Sequence, residues 1–117
     1  MKISLVSIIL LLAISTNAYA FFTRGNDLVG DMGAWKSFTN GSPNADHLGT
    51  SAYINYVKGI YDAYSLNDVI CHDSRHVTVN QVTAVVAKYL DNNPERWSEP
   101  AFYLVADAPK LAFPCPA

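Results

Sequence analysis

The side chains best equipped for chemistry gather in one short stretch, where Cys71, His72, Asp73, Arg75 and His76 stand close together. A thiol beside an imidazole and a guanidinium can have a depressed pKa and act as a nucleophile. Two histidines four apart suit zinc when a helix carries them. Neither arrangement is complete. No third ligand follows at a recognisable spacing, and a helix start at Thr78 leaves both imidazoles in a loop. Asp62, Asp73 and Asp107 are scattered, with no pair fixed in register for acid–base work. There is no G-x-S-x-G turn, phosphate loop or dinucleotide fingerprint. The residues predict a protein that is not an enzyme and needs no metal or cofactor; a secreted hydrolase using His72 or His76 is the weakest reading.

The thiol has a simpler use. Lys2, the apolar run Ile3–Ile14 and the small-x-small sequence Ala18-Tyr19-Ala20 have the form of a signal peptide cleaved after residue 20. The run is too short to span a membrane, and no stop-transfer pattern follows. The mature chain, 21–117, is expected to be free of the membrane and to work in the periplasm. In that oxidising space the chain's two cysteines have one pairing open to them, Cys71–Cys115. Closing a loop of about 45 residues adds about 4 kcal/mol on the chain-entropy model.

Cleavage leaves 97 of the 117 residues, one small domain for which such a staple is expected. With Lys2 gone, seven basic residues face ten acidic ones, a net charge of −3 with histidine neutral. That balance argues against a nucleic-acid partner, which would require a basic face, and suits a basic protein.

Four helices position these groups. Leu28, Met32, Trp35 and Phe38 mark one face of a helix over 26–38, with Asn26 or Asp27 as its cap. Thr39–Asn44 is dense in turn formers, and its Asn40-Gly41-Ser42 sequon reads as a polar turn. Tyr53, Val57, Ile60, Tyr61 and Tyr64 predict a helix over 46–64, its tyrosines filling a small core rather than forming a stacking platform. Gly59 is expected to admit a neighbouring helix. Thr78 and Gln81 form a capping box for a helix over 78–91, ended by Pro94. Ser98 is expected to cap a last helix over 99–112, with Pro100 in its first turn. The fold class is all-α: a small four-helix bundle-like domain with one disulfide.

Taken together, several runs resemble one family. They are Gly25-Asn26-Asp27-Leu28, Tyr53-Ile54, Gly59-Ile60, Asp62-Ala63, Cys71, Val77–Val82, Tyr89–Arg96, Ala101, Leu104-Val105 and Ala112-Phe113-Pro114-Cys115. Their order and spacing over Asn26–Cys115 are similar to the Rap/Tai family of type VI secretion amidase-immunity proteins. The resemblance implies a small helical periplasmic protein, often a homodimer, that binds and inhibits a peptidoglycan amidase injected by a sister cell. Many members carry a second cysteine pair. This chain has Ala34-Trp35-Lys36 and Thr50-Ser51 in those regions, so no odd thiol is left and packing alone holds the first helix.

An inhibitor of a cleft enzyme must present something narrow and stiff, and a bundle offers its inter-helix loops: Thr39–His47, Ser65–Ile70 and Asp91–Ser98. The last joins Asp91, Glu95, Arg96 and Trp97 to a proline. With Asn67 and Asp68 of the middle loop, these residues are the expected effector-binding edge, Trp97 being either its aromatic anchor or a core residue. An alternative function is an acid-stress chaperone of the HdeA kind, also small, helical and stapled once. The chain is only 15% charged and 50% hydrophobic, which counts against that reading.

Overall fold

A computed structural model describes residues 22–67, 70 and 76–115. The expected signal peptide and the residues Asp68, Cys71, His72, Asp73 and Arg75 lie outside them. The described residues form α1 (Gly25–Thr39), α2 (His47–Leu66), α3 (Val79–Asn92), a single 3-10 turn (Pro94–Arg96) and α4 (Ala101–Ala112). Among them the only β pairing is an isolated bridge between Arg24 and Pro100.

Local chemistry explains most boundaries. The first helix closes in a Schellman turn: Gly41 takes φ 78°, its N–H donates to Phe38 O, and Ser42 N–H donates to Ser37 O. Asp46 caps α2, its Oδ1 accepting from Gly49 N–H at 3.0 Å. At the other end Asn67 Nδ2 donates to Ala63 O at 2.8 Å. The capping box of α3 forms as expected, with Gln81 N–H to Thr78 Oγ1 at 3.2 Å and Thr78 N–H to Gln81 Oε1 at 2.7 Å. That box and the buried stripe Val82, Val86, Ala87 and Leu90 hold a valine-rich segment in helix rather than strand.

Three expectations need correction. Neither Asn26 nor Asp27 is the first cap: Arg24 occupies it, and Asp27 acts one turn in, accepting from Arg24 N–H at 2.9 Å. Ser98 is exposed and does not cap α4, which starts at Ala101 after an N-cap Pro100. The cause is non-local. The segment 97–101 is paired with 23–26 through Gly25 N–H to Glu99 O, Asn26 N–H to Trp97 O and Ala101 N–H to Thr23 O. Gly59, finally, is exposed, and a Cβ built on it meets nothing within 4 Å. The close helix approach is at Gly49, where a Cβ would lie 2.9 Å from Ala34 Cβ and 2.8 Å from Asp46 Oδ2.

One core joins all four helices: Leu28 and Met32, Tyr53 and Val57, Val82, Val86 and Leu90, then Ala101, Leu104, Val105 and Ala108. Tyr53 is fully buried, tilted against Trp35 at 5.2 Å, and its hydroxyl donates to Thr83 O at 2.6 Å. Burial, and secondarily the negative charge of Asp91, pushes its pKa above the usual phenol range. The tyrosine-rich helix therefore builds core with its most buried ring. Tyr56, Tyr61 and Tyr64 are half-buried around it. Among the described residues no cysteine is free.

Candidate functional site

The connection from Asp91 to Pro100 is closely restrained, and its restraints begin with its own sequence. Pro94 stops α3 and opens the 3-10 turn, in which Arg96 N–H reaches Asn93 O and Trp97 N–H reaches Pro94 O. Asn93 Nδ2 donates back to Tyr89 O at 2.8 Å. Beneath the turn, Trp97 is half-buried against the core and its Nε1–H donates to Leu90 O at 2.8 Å. Of its two expected roles the structure gives Trp97 the core one.

Arg96 reaches three elements. Its Nε and Nη2 form a two-pronged pair with Glu99, at 2.8 and 2.9 Å. Its Nη1 donates to Asp107 Oδ2 of α4 at 2.9 Å and to the Tyr89 hydroxyl of α3, and its guanidinium lies 5.7 Å from the Tyr89 ring centre. The bond to Glu99 is the main cause that raises the arginine pKa still further, and the same bond lowers that of Glu99. Lys110 stands at the edge of this network, 3.9 Å from Asp107. A guanidinium so fully engaged is a strut rather than a free hand.

The N-terminal segment completes the frame. Besides the backbone pairing described above, Arg24 Nη1 donates to Ser98 O at 2.9 Å. A Cβ on Gly25 would fall 2.7 Å from Trp97 O and 2.9 Å from Leu104 Cδ1, so only glycine lets α1 begin this close to the turn.

The expected contact residues sort accordingly. Asp91 is half exposed and paired with Lys36 at 2.6 Å. Arg96 and Trp97 face inward. Glu95 is exposed, and among the described residues its side chain makes no hydrogen bond or ion pair. Asn67 caps α2, whose last turns flank the start of α3 across a shallow groove lined by Val57, Tyr61, Val79 and Val82. The turn stands at the far end of α3, about 20 Å away along a 14-residue helix. Asn67 and the turn therefore stand towards opposite ends of α3, because α2 and α3 run antiparallel; Asp68 lies outside the described residues.

His76 and His47 are exposed, His47 lying edge-on to Phe38. No group of three metal-ligating side chains occurs among the described residues, and no helix among them is long and apolar enough to cross a membrane. A second groove, about 280 Å³, lies between α3 and α4 and is lined by Val85, Lys88, Tyr89, Asn92, Ala108 and Leu111.

Sequence reasoning missed Arg24, Gly25 and Asp107. The pairing of Arg96 with Glu99 was legible as neighbouring opposite charges, but its reach to Asp107 depends on how α4 folds back. The described domain and the known families coincide closely: the family model described as Rap1a immunity proteins matches residues 24–115. No curated protein and no solved structure matches the chain.

Proposed function

The chain belongs to the Rap1a immunity protein family, and from that premise we propose that it binds and inhibits a peptidoglycan amidase delivered by a type VI secretion system. The observation that carries this reading is the extent of the match, from Arg24 to Cys115, which covers all four helices and the turn between α3 and α4. A rigid turn suits the task. An exposed element already held in one shape loses little conformational freedom on binding, so more of its contact energy appears as affinity.

The proposal includes the compartment. A signal peptide cleaved after Ala20 would deliver the protein to the periplasm, where an amidase meets its peptidoglycan substrate. It also includes a Cys71–Cys115 bond, supported by the two-cysteine count and the oxidising space. The test is capture. The secreted protein, immobilised, should retain the product of an adjacent gene for a small secreted hydrolase. Failure to retain it, with the fold shown intact by circular dichroism, would overturn the reading.

A further inference from the structure

We propose that the 3-10 turn Pro94–Arg96 is the preformed contact element, that Glu95 receives a lysine or arginine side chain of the bound effector, and that Arg96 is its positioning residue. This rests on the inhibitory function proposed above.

Three observations carry it. The first is rigidity. Trp97 O, Ser98 O and Glu99 O each accept a hydrogen bond from the N-terminal segment, and Trp97 Nε1 and Asn93 Nδ2 tie the turn to α3. The connection is thus held both by residues 24–26 and by α3.

The second is the distribution of charge. Asp91 is satisfied by Lys36, and Arg96 holds Glu99 and Asp107. Glu95, at the middle of the same turn, is the one charged side chain there that no described residue engages. Its carboxylate sits on a backbone whose flanking residues, Pro94 and Arg96, are both fixed. An unpaired acid on a fixed turn is a ready acceptor for a cationic side chain.

The third is the sign of the whole molecule. With ten acidic residues against eight basic ones, the chain carries a net charge of −2 before any cleavage, which complements a basic partner rather than an acidic one.

Arg96 then acts at one remove. It does not touch the partner, because its donors are directed to Glu99, Asp107 and Tyr89. By joining α3, the turn and α4 it keeps the Glu95 backbone in place. The roles of the two residues are therefore coupled.

A double-mutant cycle tests this, using the secreted protein and the co-encoded hydrolase that the capture experiment retains. Glu95→Gln should melt like the wild type, bind about tenfold more weakly and show a flatter dependence of affinity on salt. Arg96→Met should speed amide exchange in residues 93–99 and also weaken binding about tenfold, with Arg96→Lys restoring part of the loss. The double variant should bind no more weakly than about the weaker single one, since Glu95 is of use only when held. Unchanged affinity and salt dependence in Glu95→Gln would remove Glu95 as a contact. Additive losses would remove Arg96 as its positioning residue. Either result would leave the inhibitory function standing. A wild-type protein that retains no co-encoded hydrolase would remove both proposals.

Discussion

Gly25 and Gly59 show how differently two glycines can act within one small domain. At Gly25 the carbonyl and Cα of Trp97 stand where a Cβ would go, and backbone cannot step aside as a flexible side chain can. Gly25→Ala is expected to lower stability by about 2–3 kcal/mol, as overpacking against fixed atoms does. Gly59 faces solvent inside α2 with open space around it, so Gly59→Ala should raise stability by about 0.5–1 kcal/mol through helix propensity. Urea unfolding of the two variants checks both signs at once. Asp31 is a third residue with a definite sign. Burial, then the charges of Asp27 and Asp46, raise its pKa, so the ionised form is disfavoured in the folded state. Its effect is a loss of stability at neutral pH that is relieved as pH falls through the raised value. Asp31→Asn should therefore melt slightly higher than the wild type at pH 7, by up to about 0.5 kcal/mol.

At the scale of elements, the turn after α3 has the opposite pH response. Arg96 lowers the pKa of Glu99, so this pair contributes stability that is fully present above the ordinary glutamate value. That contribution is lost as pH falls through the lowered one. Thermal melts from pH 7 to pH 3 should fall less steeply for Glu99→Gln than for the wild type. An identical slope would show that the pair adds nothing to the folded state. The same elements show what a sequence can and cannot reveal. The caps at Asp46 and Thr78 both depend on residues three positions away. The capping box at Thr78 is legible in the sequence, whereas the spacing there counts Asp46 as the first residue of its helix. The cap at Arg24 and the delayed start of α4 depend on hydrogen bonds between 23–26 and 97–101. Those partners are about 75 positions apart, as for Arg24 and Ser98, and no periodicity announces them. Gly59 was misjudged because a helical glycine has the same letter whether it faces a neighbour, as Gly49 does, or water. Within the candidate site Glu95, Arg96 and Trp97 were all legible as a group. Which of them points outward was not, because that follows from the fold of α4 over the turn.

At the scale of the molecule, a shared core and a non-local strap hold the four helices of the described residues together. Neither α1 nor α2 carries a cysteine. Here α1 is secured instead by Leu28 and Met32 in the core, by Gly49 against Ala34, and by the backbone pairing at its start. The proposed Cys71–Cys115 bond would tie the chain's end to the connection before α3. Thiol titration of the denatured, unreduced protein should then find no free thiol, and finding two would exclude the bond. Packing and strap together hold the turn after α3 in place against the start of α1. The central claim is inhibition, and a direct titration tests it. The hydrolase retained in the capture experiment is incubated with peptidoglycan while residues 21–117 of the protein are added in increasing amounts, and release of cleaved peptide is followed. The account predicts that hydrolysis falls to background near a stoichiometric ratio and that Glu95→Gln requires a clear excess. Full hydrolysis in the presence of a large excess of folded wild-type protein would contradict it.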